Sequence, residues 1–326
     1  MTPAGRGRGR GAGGGRPGRE PRRGAEGRRF RTSDRRPGAS DRRPGASDRR
    51  PGASDRRPGA SDRRPGASDR HQHARPAARD DLGGDQVEGR RAVRELLSAG
   101  RRPVRTLWLA EGLDPSPQLD EIEQLAARRR VRVETVSRAR LEAAARTEAP
   151  QGVLARARPI EPVDLDELAV PAHGPAFVVV VAGVTDPRNL GALLRSAECA
   201  GVTGIVLPRH RAVHLSPTVA KVAAGAIEHL DFALVGGIPN ALEHLSALGI
   251  WAMGLASESP RSIYDVTIGD GPIALVVGGE ERGLAPLVRR RCDEVVAIPQ
   301  HGALASLNVG VAAAVACFEV ARRRAG

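Results

Sequence analysis

From about residue 86 to the end of the chain, apolar positions recur with two periods; before that they are nearly missing. Helical spacing predicts helices within Val87–Leu97 (entering after Gly89), Leu119–Ala127, Asn189–Ala200, Ser216–Leu230 around Lys221, and Leu307–Arg324. Short alternating or β-branched runs predict strands at Val104–Leu109, Val131–Val136, Gly204–Leu207, Ile250–Met253, Ile273–Val277 and Val295–Ile298. A further strand opens at Gln151-Gly152-Val153. Ala176–Val184 is an almost unbroken Val-rich run, as expected for a parallel strand buried on both faces. The βα alternation implies an α/β protein. Its expected parts are a small α/β domain over 83–160, a linker over 161–174 marked by Pro162 and Pro171, and a larger α/β domain with covered faces over 175–326.

Residues 1–82 read differently. Five back-to-back copies of Ser-Asp-Arg-Arg-Pro-Gly-Ala fill 33–67 behind a Gly/Arg run, and Phe30 is the only aromatic residue in the first 80. Such a segment has too little apolar surface to offset the entropy of ordering it, so a disordered tail is expected. Pro and Gly in every seven-residue copy exclude a coiled-coil helix. Two readings of the tail stand: an electrostatic arm for RNA, or a repeat expansion with little consequence beyond solubility.

Charge follows the same division. Of 51 basic and 38 acidic residues, 23 arginines and 9 acids lie in 1–80, a net +14. The remaining 28 basic and 29 acidic residues leave the rest at −1. Arginine supplies every cation but Lys221; that pattern arises from a GC-rich codon bias as readily as from a need to grip phosphate. The triplet Arg128-Arg129-Arg130 reads either as solvated charge at a helix end or as an RNA contact. No apolar run reaches the roughly 18 residues of a membrane span, and no signal-type segment is expected. Cys199, Cys292 and Cys317 are an odd set without metal-type spacing, which implies buried thiols in a reducing cytoplasm.

Three segments carry the chemistry: Asp186-Pro187-Arg188-Asn189-Leu190-Gly191-Ala192; Gly278-Gly279-Glu280-Glu281-Arg282-Gly283-Leu284; and Ile298-Pro299-Gln300-His301-Gly302 leading to Ser306-Leu307-Asn308-Val309. The second and third each follow a β-branched run and lead toward a helical pattern, which is where α/β proteins place ligands. No Gly-x-Gly-x-x-Gly follows a strand to open a dinucleotide site. Asn189 and Arg195 are six residues, or about 600°, apart on a helix, so they do not share a face. Asn189 reads as a helix cap or as part of the loop before it, and Ser306-Leu307-Asn308 as a capping arrangement.

In order and spacing the three segments resemble the motifs of the SpoU family of RNA 2′-O-ribose methyltransferases, in its TrmH/RlmB-like branch, over about 240 residues. The resemblance implies a SPOUT-type parallel sheet with a deep C-terminal trefoil knot, preceded by an L30e-like RNA substrate-binding domain. It implies S-adenosyl-L-methionine as methyl donor, cradled at Gly278, Ile298 and Leu307. It makes Arg195, Asn189, Glu280, Ser306 and Asn308 the catalytic set, with no metal, and implies a homodimer in which Arg195 acts opposite its partner's cofactor pocket. Arginine stays protonated, so Arg195 would position phosphate or stabilise a developing alkoxide rather than take a proton. The implied reaction is 2′-O-methylation of a guanosine in 23S rRNA. A tRNA 2′-O-methyltransferase, an antibiotic-resistance 23S rRNA 2′-O-methyltransferase and a non-catalytic RNA-binding protein are the alternatives. Gly310 and Ala223 depart from the family pattern, each standing where serine is frequent.

Overall fold

The central strands are dictated by sequences that only a doubly covered sheet satisfies. β5 (Phe177–Ala182, FVVVVA) and β9 (Ile273–Gly278, IALVVG) pair in parallel along their whole length and are almost completely buried. Alternate residues of β5 enter opposite layers, Val179 and Val181 one core and Val178 and Val180 the other.

The computed structural model describes residues 82–210, 212–280, 282–304 and 306–325. The repeat tail expected over 1–82 lies outside them except for Leu82, which is fully buried in the core of the larger sheet. From there the chain runs β1 (Gln86–Glu88), α1 (Arg90–Ala99), β2 (Val104–Ala110), α2 (Pro117–Arg128), β3 (Arg132–Val136), α3 (Arg138–Ala144) and β4 (Val153–Ala157). These strands make one mixed sheet, ordered β1-β4-β2-β3. After α4 (Leu165–Ala169) come β5, α5 (Pro187–Cys199), β6 (Gly204–Pro208), α6 (Pro217–Val222), β7 (Asp231–Val235), α7 (Ile238–Ala247), β8 (Trp251–Leu255), β9, α8 (Pro286–Arg290), β10 (Glu294–Val296) and α9 (Val309–Arg324). The six strands form a wholly parallel sheet, ordered β10-β8-β9-β5-β6-β7.

Several expectations are corrected. Residues 86–88 form a strand paired with β4 that was not expected, while the helix enters after Gly89 as expected; three residues are too short to show a strand period. The stretch expected as linker contains α4, capped by Asp164 with Glu167 and burying Leu168. The helix expected over Ser216–Leu230 stops at Val222, and a 3-10 turn covers Ala226–Glu228. Its break is a contact requirement. Gly225 has φ +93°, and a Cβ there would lie 2.3 Å from the Cβ of Glu95 on α1. Arg129 is structural, donating to the Leu97 and Ser98 carbonyls at the end of α1 (2.6 and 2.8 Å). Of the three cysteines only Cys317 is fully buried; Cys199 is exposed. Burial pushes the Cys317 thiol up to about 12 and Cys292, helped by Asp293, to about 11. No helix of the described residues is long and apolar enough to cross a membrane.

The two sheets belong to one compact unit, joined by polar contacts that fix their relation. Arg102 holds Glu228 through two bonds (2.8 and 2.6 Å) and donates to the carbonyls of Gly84 (2.6 Å) and Arg158. Its side chain is 8% exposed and that of Glu228 1%. The Lys221 ammonium donates to the Ala149 carbonyl (2.5 Å), and His229 meets Glu95 at 3.2 Å. A buried bidentate pair of this kind is costly to break from one side. Arg102→Met is therefore expected to lower stability by about 3 kcal/mol in a denaturant melt, whereas a loss below about 1 kcal/mol would place the pair effectively in solvent.

Candidate active site

Parallel pairing sets where the three motif segments can meet. In the register Ala182↔Gly278 the ends of β5 and β9 lie side by side. The chain proceeds to β6 on one flank of β5 and reaches β8 and β9 on the other, so this is the point at which strand order reverses. Crevices outside the carboxyl ends of strands at such a point receive ligands.

Each side chain is then aimed by local structure. After β5, Asp186 caps α5 by accepting from the Arg188 N–H (2.6 Å), and Pro187 takes the first helical position. The cap is therefore Asp186, not Asn189, which sits inside the first turn. After β9, Gly279 and Gly283 exchange two backbone hydrogen bonds (3.2 and 3.0 Å), closing a tight loop that presents Glu280. Glycine at 278 is required by that loop, because a Cβ would lie 2.3 Å from the Gly283 carbonyl carbon. Asn308 caps α9, its Oδ1 accepting from the N–H groups of Gly310 (2.9 Å) and Val311 (3.3 Å). Gly310 lets α9 approach, since a Cβ there would stand 3.3 Å from the Asn189 carbonyl oxygen.

These devices produce one directional chain of hydrogen bonds. The Asn308 amide donates to Asn189 Oδ1 (2.9 Å), and the Asn189 amide donates to the Glu280 carboxylate. A carboxylate accepts only, so Glu280 fixes which way Asn189 points, and the N–H groups of α9 do the same for Asn308. All three motif segments are thereby linked.

Beside this chain lies a cavity of about 510 Å³ at the carboxyl ends of β8, β9 and β10. Gly278, Glu280, Ile298, Ser306 and Leu307 all line it, as do Ala256, Ser257 and Glu258 after β8. Leu255, Val277 and Val296 form an apolar floor. A cavity of this size, with an apolar floor and backbone walls, fits a nucleoside-bearing cofactor. The wall after β8 was missed in the sequence because no motif marks it; its only signal is its position at a strand's carboxyl end. Arg195 is not in this cavity. It is exposed on α5 and lines a separate cleft of about 630 Å³ between the sheets, with Arg91, Arg94, Glu95, Cys199 and His229. It makes no ion pair or hydrogen bond among the described residues, and, as the 600° spacing requires, it faces away from Asn189. Those residues also contain no group of three or more His, Cys, Asp or Glu placed to hold a metal.

A parallel sheet with a cavity at its carboxyl edge, lined by the Glu280 end of the Asn308–Asn189–Glu280 chain, defines a ligand site at a strand switch point. Residues 176–318 match the model of the SpoU rRNA methylase family, and residues 86–163 the model described as RNA 2′-O ribose methyltransferase substrate binding. The chain belongs to the SpoU rRNA methylase family. It is 37% identical to the 23S rRNA (guanosine-2′-O-)-methyltransferase RlmB of Pseudomonas putida, over 74% of this chain and 97% of that protein. It is 40% identical to the RlmB of Xanthomonas campestris pv. campestris, with the same coverage. Among solved structures, an RNA 2′-O ribose methyltransferase matches with a TM-score of 0.62 at 28% identity, over 74% of this chain and 89% of that one. AviRb of Streptomyces viridochromogenes, solved in complex with AdoMet, shares the fold (TM-score 0.62, 24% identity, 74% and 90% coverage).

Gly278→Ala is expected to force the loop at 279–283 away and to reduce cofactor affinity at least tenfold by calorimetry, with the chain still folded. Unchanged affinity would remove this loop from the binding site.

Proposed function

We propose that the chain transfers a methyl group from S-adenosyl-L-methionine to the ribose 2′-hydroxyl of a guanosine in 23S rRNA. The observation that carries this reading is the chain Asn308–Asn189–Glu280, which reaches the cavity through Glu280. It stands in a sequence whose relatives, 37–40% identical over nearly their whole length, bear that activity in their names. The small sheet, matching a substrate-binding model, supports a large RNA substrate.

In this reading Gly278, Ile298 and Leu307 hold the cofactor through main chain and apolar contact, and Ser306 closes the polar side of the cavity. The bound cofactor supplies an electrophilic methyl group, so holding the hydroxyl in line with it accounts for much of the rate. Asn189, clamped between Glu280 and Asn308, orients the ribose. Arg195, with a guanidinium that only donates hydrogen bonds, acts on phosphate or on the developing alkoxide, not as a base.

Because Arg195 and the cavity do not meet within one chain, the reading includes a homodimer, with Arg195 of one protomer opposite the cavity of the other. An unpartnered apolar surface supports this. Val311 and Phe318, seven apart on α9, are about half exposed, and Leu304 just before the helix is 81% exposed. The further structural reading is that the chain around β9, β10 and α9 forms a trefoil knot and that the small sheet is an L30e-like module. The cytoplasm is the compartment in which this substrate occurs.

The test is methyl transfer from labelled cofactor to unmodified 23S rRNA, 16S rRNA and tRNA, with the modified position mapped. Ribose methylation of one 23S guanosine is expected. Methylation of tRNA alone would overturn the substrate, and cofactor binding without transfer to any RNA would favour a non-catalytic binder. Arg195→Ala is expected to lower kcat at least 100-fold while cofactor affinity stays within about twofold. Equal loss of cofactor affinity would contradict the division of roles.

A further inference from the structure

We propose that the outer face of the small sheet carries a single-stranded RNA platform built on Trp108, Arg140 and Arg156. The proposal rests on the RNA reading above and names a second contact, apart from the cavity and from the Arg195 cleft. On β2, Leu107 and Leu109 enter the core under α1 and α2, which turns Trp108 to the opposite face. There α3 covers only one end, through Leu141 on Ala110, Val136 and Leu154. Pairing of Trp108 with Leu154 and of Thr106 with Arg156 puts Arg156 on the same face, two residues along from Leu154.

The Arg156 guanidinium carbon lies 5.2 Å from the centre of the Trp108 ring, and that of Arg140, from α3, 4.8 Å. Neither side chain makes an ion pair or hydrogen bond among the described residues. Their charge is thus held in place by the indole without being neutralised. The β2–β4 register slips at Arg105, between Val104↔Ala157 and Thr106↔Arg156, and leaves that arginine exposed beside the platform. With Arg146 these residues line a concavity of about 730 Å³ whose only acids are Asp85, paired with Arg146 at 3.7 Å, and Glu134, paired with Arg132.

Three arginines without an acidic partner among the described residues, Arg105, Arg140 and Arg156, favour an anionic partner, and the indole beneath two of them chooses among anions. A guanidinium held over an indole makes, with it, a surface on which an unpaired base can stack, and it offers N–H edges to phosphate. In a duplex the base faces are hidden, so the fit is to a loop or an unpaired stretch of RNA. This gives the small sheet a grip on RNA away from the reacting ribose.

The test uses the full chain, unmodified 23S rRNA, and the variants Trp108→Ala, Trp108→Phe and Arg140→Ala/Arg156→Ala. Trp108→Ala is expected to raise the RNA Kd and KM about tenfold, with kcat at saturating RNA and cofactor affinity unchanged; Trp108→Phe restores most of the loss. The arginine pair, which holds no core, is expected to make the salt dependence of RNA binding shallower by a slope of about one to two. Unchanged RNA affinity in both the Trp108→Ala and the arginine variants overturns the platform, whether or not the wild type methylates. Retained rRNA affinity with lost affinity for a polyglutamate peptide overturns it in favour of an acidic protein partner. Reduced RNA binding by the variants, with a wild type that transfers no methyl group, supports the platform and removes only the proposed reaction.

Discussion

Everything at the site depends on the parallel pairing of β5 with β9, which are remote in sequence and adjacent in space. Their shared register brings the turn after Ala182 and the turn after Gly278 to one edge. The first turn continues into α5, capped by Asp186, and the second closes on itself between Gly279 and Gly283. The hydrogen bond from Asn189 to Glu280 ties them together, and Asn308 extends the tie to α9. The buried sheet thus supplies position, and three polar side chains convert it into orientation.

A second constraint separates Arg195 from the cavity. Gly225 lets α1 approach the turn after α6, and the buried Arg102–Glu228 pair locks the small sheet to the large one. The cleft so formed contains Arg195, while the cavity lies at the carboxyl ends of β8, β9 and β10. One helix, α5, is tied to both places: Asn189 in its first turn bonds to Glu280 of the cavity wall, and Arg195, Glu198 and Cys199 in its later turns line the cleft. Within a single chain the cation and the cavity are consequently apart, which is the physical basis for reading a pair of chains as the working unit.

Much of this was legible in the sequence because the signals are local. The Val-rich run at 176–184 and the β-branched runs before Gly278 and Ile298 follow from hydrophobic period, and Gly278, Ile298 and Leu307 of the cavity lining from the motifs' resemblance to the SpoU family. The six-residue interval from Asn189 to Arg195 already placed the two on different faces. What escaped depended on partners distant in sequence. The strand at 86–88 exists only because β4 pairs with it, and Leu168 of α4 is buried against Gly204 of β6 in the core of the larger sheet. Helix α6 stops early because Glu95 comes close to Gly225. Gly278 was expected as a site of close cofactor approach. Its nearest requirement is the Gly283 carbonyl of its own loop, a contact no linear pattern displays.

The central claim is that Asn308, Asn189 and Glu280 act as one unit that builds the site, and a double-mutant cycle tests it directly. Cofactor affinity and methyl transfer would be measured for Asn189→Ala, Asn308→Ala and the double variant. If the three side chains form one connected chain, each single change loses about as much as the double, with a coupling energy above about 1 kcal/mol. Losses that simply add would mean that the two asparagines act independently and would contradict the account.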